Sequence, residues 1–176
     1  NASTGITVTT NKKIYAVLVD NEGQTGTAVV GNVTNIDKLA PTISTALKST
    51  ATGINSVTLS VGIADENSGL GKIEWYYGTT NNPTTKAGTT EVTTLNGTQK
   101  GPTTAQTKAY TVTGLSAGTT YYFKAIIYDV AGNQTTSSVI SAKTQNPTAA
   151  DISYTPSDSS WKVDNVKSAL DYLYNR

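Results

Sequence analysis

The sequence predicts an all-β protein built as a two-sheet sandwich, with one short α-helix near its C-terminal end. Three observations carry that prediction. Thirty-three of the 176 residues are threonine and ten are tyrosine, types that suit pleated, half-buried surfaces. Apolar residues recur on alternate positions over several stretches of strand length. Clusters of Gly, Asn, Asp and Ser stand between those stretches and supply the turns.

Pro41 opens the first strand of the sandwich, a weak one through Ile43 and Leu47. In the second, Val57, Leu59, Val61 and Ile63 alternate with Thr58, Ser60 and Gly62, the period of a strand with one buried face. Asp65–Gly71 is a turn cluster, after which Ile73, Trp75 and Tyr77 continue on alternate positions. From Thr79 to Lys108 the chain is polar, with Val92 and Leu95 its large aliphatics, which predicts one edge strand near Thr90–Leu95 and otherwise mobile loop. Tyr110 and Val112 end the next strand. Tyr121, Phe123, Ala125 and Ile127 line one face of its successor, and a turn at Asp129–Asn133 leads to a final strand around Val139–Ala142. Seven short strands with turn signals between them fit a Greek-key sandwich of immunoglobulin type. The predicted core is Val57, Leu59, Val61, Ile63, Trp75, Tyr110, Val112, Leu115, Tyr121, Phe123, Ala125 and Ile127.

Within this frame GLSAGTTYYF, Gly114–Phe123, resembles the fibronectin type III signature of a leucine, a tight turn and a corner tyrosine. The resemblance implies that Tyr121 buries its ring and bonds its hydroxyl to nearby backbone. Ala117 stands where that family usually has proline, and Trp75, on the third strand, takes the place of a tryptophan expected on the second. DENSGLGKIE at Asp65–Glu74 and DVAGN at Asp129–Asn133 resemble bacterial immunoglobulin-like repeats of surface proteins. Together these resemblances cover residues 38–145.

Residues 1–36 slide onto 110–145 without a gap. Gly5 meets Gly114, Ile6 meets Leu115, Ala16 meets Ala125, Asp20 meets Asp129, Gly23 meets Gly132 and Val30 meets Val139. The match reads residues 1–36 as the closing strands of a preceding module whose first half is missing. Residues 37–145 form the complete sandwich, and residues 146–176 a turn-rich linker and helix. In that helix Val166, Ala169, Leu170 and Leu173 form an amphipathic stripe, with Asp164 as the expected N-cap and Trp161 just ahead. Tyr154, Asn165, Val166, Ala169, Leu170, Asp171 and Leu173 resemble a short element of phage tail-fibre proteins and some surface proteins of gut bacteria, which in fibres sits at joints where chains associate. The helix is expected to pack on this chain's own β structure, and the N-terminal hairpin to be the site of any homo-oligomer.

The composition narrows the chemistry. With no His and no Cys, triads and histidine or thiolate metal sites are excluded, no cofactor is expected, and no pair of acids stands in a context that suggests catalysis. A net charge of +1 with 14% charged residues gives no footprint for nucleic acid. No apolar run is long enough to span a bilayer, and no stretch reads as a signal peptide.

Two surfaces are candidates for binding. Asp65, Glu66, Asp129 and Asn133 lie in loops at one pole of the fold, beside Asp37 of the entering linker. Hard oxygens converging there could hold Ca²⁺, which needs about six or more of them; the competing and preferred reading is turn stabilisation. If Tyr121 points inward, Tyr122, Lys124, Ile126 and Tyr128 point outward beside Tyr76. This stripe could take glycan or protein, although cover by the helix or hairpin is preferred, because those elements have apolar faces to bury. The expected role is a non-enzymatic structural or adhesive module of a cell surface or virion, extracellular and acting as spacer or binder among neighbouring modules. The alternatives are an accessory carbohydrate-binding module of a secreted enzyme, or a minor pilin-like surface protein.

Overall fold

The protein is described by a computed structural model over residues 5–93, 100–157, 160 and 162–175. Strands β1 (Lys12–Ala16) and β2 (Val29–Val33) form a separate antiparallel hairpin. One sheet of the sandwich comprises β3 (Thr42–Thr52), β4 (Ser56–Ala64) and β7 (Gln106–Thr113), in the order β3-β4-β7. The facing sheet orders β10 (Ile140–Lys143), β8 (Thr120–Asp129), β5 (Leu70–Gly78) and β6 (Thr85–Glu91), with β9 (Gln134–Thr136) also paired to β8. Every pairing is antiparallel. Three strands facing five, with crossings from β4 to β5, β6 to β7 and β7 to β8, make an immunoglobulin-like sandwich in the fibronectin type III arrangement.

Alternation decides which side chains fill it. Val57, Leu59, Val61 and Ile63 from β4 meet Ile73 and Trp75 from β5 and Phe123, Ala125 and Ile127 from β8, all fully buried, while Val112, Leu115 and Tyr121 keep a small residual exposure. Leu47 and Leu70 complete the core. Burying each large side chain contributes about 1.5–3 kcal/mol. Tyr110 departs from the predicted core in being half-buried, packed against the cluster's margin. Its ring stacks on Trp75 at 5.6 Å between centroids, and its hydroxyl stays near the edge of the sandwich to donate to the Ala87 carbonyl at 2.9 Å.

The corner tyrosine is present. Tyr121 buries its ring, and its hydroxyl oxygen accepts the Ser116 N–H at 3.0 Å. Tyr121→Phe is expected to cost about 1–2 kcal/mol in urea melts, because the Ser116 N–H loses its acceptor. An unchanged midpoint would deprive the corner of an energetic role.

Three local expectations are corrected, and one short strand is added. The edge strand lies at Thr85–Glu91 rather than near Thr90–Leu95, because β6 takes its register from β5, with Trp75 opposite Gly88 and Ile73 opposite Thr90, and not from its own aliphatics. Leu95 lies outside the described residues. The last strand forms about where it is expected, at Ile140–Lys143, and a short β9 precedes it; between them the Ser137 Oγ accepts the Ala125 N–H and the Ser137 N–H donates to the Ala125 carbonyl. Helix α1 (Val166–Tyr174) is capped by Asn165, not Asp164; the Asn165 side chain accepts the Ser168 N–H, and Ser168 Oγ answers to the Asn165 N–H. Finally, α1 does not bury its stripe on the sandwich. Its start is tied to the preceding turn through Lys167 N–H to Ala149 and Val166 N–H to Ile152 carbonyls, which leaves Leu170 and Leu173 each 57% exposed. Trp161 lies outside the described residues.

Candidate functional site

The outer face of the larger sheet gathers the predicted tyrosine stripe. Inward and outward positions alternate along β5 and β8, so Lys72, Glu74 and Tyr76 share a face with Tyr122, Lys124, Ile126 and Tyr128. The register sets Tyr76 opposite Lys124, Glu74 opposite Ile126 and Lys72 opposite Tyr128. Tyr76, Tyr122, Lys124 and Tyr128 are all half-buried.

At the centre of the face sits a carboxylate that the stripe of tyrosines did not reveal. Glu74 is only 8% exposed. Its Oε1 accepts from Lys72 Nζ and Lys86 Nζ, each at 2.9 Å, and its Oε2 accepts from the Tyr76 hydroxyl at 2.9 Å and the Tyr128 hydroxyl at 3.4 Å. The bonds from Lys86 and Lys72 outweigh burial and lower the Glu74 pKa to about 2. The same carboxylate raises the pKa of Lys72 and of the Tyr76 hydroxyl through the bonds they donate to it. Above the network Lys72 lies 4.7 Å from the Tyr128 ring centroid and Lys124 5.6 Å from that of Tyr76, within cation–π range. A signal for this cluster exists in the sequence, where Lys72, Glu74 and Tyr76 stand at i, i+2 and i+4 of one strand. Lys86 carries no such signal, because it reaches Glu74 only through the β5–β6 pairing. Chemically the arrangement holds a fixed anion and two orientated aromatic rings, those of Tyr76 and Tyr128. Glu74 stays ionised near neutrality, so it offers no proton for acid catalysis.

The pole presents a second cluster. Asp37, Asp65 and Asp129 each bring a carboxylate oxygen within 4.8 Å of the others. Asp65 and Asp129 are buried, at 4% and 3% exposure. Five of the six oxygens already accept hydrogen bonds: Asp37 from the Leu39 and Ser68 N–H groups, Asp65 Oδ1 from those of Asn67 and Gly69, and Asp129 from the Asn133 N–H and Nδ2. Burial opposes ionisation of Asp37, but the bonds from Ser68 and Leu39 prevail and its pKa is lowered. Asn133 also donates to the carbonyls of Asp37 and Leu39 at 3.3 Å, so it braces the linker against the β8–β9 turn. Glu66 stands apart, exposed on a cleft of about 520 Å³ that it lines with Asn11, Asn35, Asp37 and Lys100. A cation here would have to share or displace oxygens that already hold the loops. EDTA is therefore expected to leave the melting temperature unchanged; a fall that Asp129→Asn abolishes would instead assign a bound ion.

Comparison with known proteins adds a partial likeness. No family model matches this chain, and no curated protein does. Among solved structures, the solution structure of the fibronectin type III domain of human fibronectin type III domain containing protein 3 aligns with 21% identity and a TM-score of 0.41, covering 63% of this chain and 92% of that one. No helix among the described residues is long and apolar enough to cross a membrane.

Proposed function

We propose that the protein is a non-enzymatic structural and binding module exposed on a cell surface or virion, and that it meets protein or glycan through the outer face of its larger sheet. The observation that carries the reading is the Glu74 network. It holds Tyr76 and Tyr128 by their hydroxyls while both residues stay only half-buried. Rings held in place before contact lose little entropy on binding, which favours their use as recognition elements. The extracellular setting rests on the resemblance of Asp65–Glu74 and Asp129–Asn133 to surface-protein repeats.

The three tyrosines on one face also favour the second reading, an accessory carbohydrate-binding module, because sugar rings stack on such aromatic platforms. One experiment separates the two. The full chain is titrated with soluble oligosaccharides, and separately offered to intact cells, in parent, Tyr122→Ala and Lys124→Ala forms. Cell binding lost in both variants, without oligosaccharide shifts, supports the adhesive reading. Saturable shifts at Tyr76, Tyr122 and Tyr128 with free oligosaccharide support the carbohydrate module. Parent and variants indistinguishable in both assays would remove the face from consideration.

A further inference from the structure

The hairpin β1–β2 repeats the geometry of β8–β10 residue for residue at a shift of 109 positions. In the hairpin Lys12 pairs with Val33 and Ile14 with Gly31; in the sandwich Tyr121 pairs with Ala142 and Phe123 with Ile140. Farther along, the bridge between Val19 and Thr25 corresponds to the pairing of Tyr128 with Gln134. The turns agree as well. Asp20 donates its N–H to the Gln24 carbonyl at 3.0 Å, as Asp129 does to that of Asn133, also at 3.0 Å. Asp20 Oδ1 accepts the Gln24 N–H at 2.8 Å, and Asp129 Oδ1 accepts the Asn133 N–H at 2.8 Å. Gly23 and Gly132 hold the positive φ that both turns require, 84° and 93°.

One thing differs. The other edge of β8 is fully paired to β5, with Tyr77 opposite Phe123, Trp75 opposite Ala125 and Ile73 opposite Ile127. Among the described residues no strand pairs with the corresponding edge of β1. The side chains that this partner and the facing sheet would cover are left in water: Leu18, the counterpart of the fully buried Ile127, is 85% exposed.

We infer that residues 5–36 are the closing hairpin of a second sandwich of the same kind, and that the open edge of β1 is a docking site for a strand of the β5 pattern. The occupant is a half-sandwich with the chemistry of residues 38–109, lying ahead of the hairpin in the same polypeptide. Its β5-like strand would pair along Ile14, Ala16 and Leu18, and its facing sheet would cover their side chains. A second copy meets only half of this need. Edge-to-edge pairing of two β1 strands satisfies backbone groups but brings no facing sheet, and Leu18 would stay wet. The inference is independent of any role for the outer face of the complete sandwich.

The test begins with the full chain as it stands. Light scattering should give a monomer, and amides of 12–16 should exchange with deuterium at nearly unprotected rates, while those of β8 are protected. A dimer with protected β1 amides would overturn the inference by giving the edge to a second copy, and a monomer with protected β1 amides would overturn it by showing that the edge needs no occupant. Next, a duplicate of residues 38–109 is joined ahead of residue 1 of the full chain. Exchange at 12–16 and 29–33 should slow by at least about tenfold, and Ile14→Lys should remove that protection while Tyr15→Lys leaves it. A reference chain carrying residues 110–145 in place of 1–36 shows whether the extended design can fold. If that reference forms two sandwiches and the native hairpin remains unprotected, the inference fails.

Discussion

Replacing Trp75 with alanine is expected to lower the stability of the sandwich by about 3–5 kcal/mol, the range for truncating a buried aromatic ring. That is a large share of the roughly 5–15 kcal/mol that holds an ordinary domain together. Trp75 is fully buried, and its loss would open a void between the sheets. It also connects three strands. Its indole N–H donates to Thr90 Oγ1 on β6 at 2.8 Å, and its ring lies nearly parallel to that of Tyr110 on β7, at an interplanar angle of 15°. Tyr110 in turn bonds β6 through the Ala87 carbonyl. The approach is so close that a Cβ on Gly88 would collide with the Tyr110 hydroxyl. Trp75→Phe keeps an aromatic ring in the core and loses the N–H bond, so about 1–2 kcal/mol is expected from it. Because Trp75 and Tyr110 share one contact, Trp75→Ala and Tyr110→Ala together should cost less than the sum of the two. Urea melts of the three variants and the pair check this. Additive losses would mean that the stacked rings act independently.

The same residues show how far sequence reading reaches. Val57 to Ile63 and Tyr121 to Ile127 are legible because the core-facing apolar residues recur at every second position of each strand. The corner at Tyr121 was legible because its turn and its leucine are local. What escaped depends on partners distant in sequence. Strand β6 carries Ala87 and Gly88 and lacks the aliphatics on which the expectation of a strand near Thr90–Leu95 rests; its position follows from pairing with β5, at a place where a Cβ on Gly88 would collide with Tyr110. Lys86 became part of the outer face through that pairing alone. The helical stripe at Val166–Leu173 was read correctly as a helix, but periodicity cannot say what covers it, and the N-cap moved by one residue because Asn165 and Ser168 form a reciprocal pair. At the pole the loop acids were brought together as expected for Asp37, Asp65 and Asp129, while Glu66, one residue farther along its loop, points to solvent.

Glu74→Gln is expected to destabilise the protein by about 1–3 kcal/mol at neutral pH and to change the shape of its acid unfolding. In the unfolded chain this carboxyl titrates near its ordinary value of 4.5, and in the fold near 2. At about 1.36 kcal/mol per pKa unit the difference sets an upper bound of about 3 kcal/mol. The lysine side chains are 39% and 45% exposed, so solvent screens part of their attraction and the lower figure is admitted. The folded pKa lies below the unfolded one. The stabilisation is therefore complete above about pH 5 and is lost as pH falls from about 4.5 towards 2. Other carboxylates, Asp37 among them, contribute their own acid limb, so the informative quantity is the difference between parent and variant. That difference should be largest at pH 7 and should shrink to a small remainder near pH 2, where the parent's Glu74 is about half protonated. Glutamine keeps one acceptor for Lys86 and Lys72 but replaces the other with an amide that cannot accept from the Tyr76 and Tyr128 hydroxyls. Their rings should consequently gain freedom, seen as faster ring flips and sharper aromatic resonances on the outer face. A parent–variant difference that stays constant from pH 7 to pH 2 would mean that Glu74 acts through packing rather than charge. The tyrosines would then owe their positions to the sheet alone.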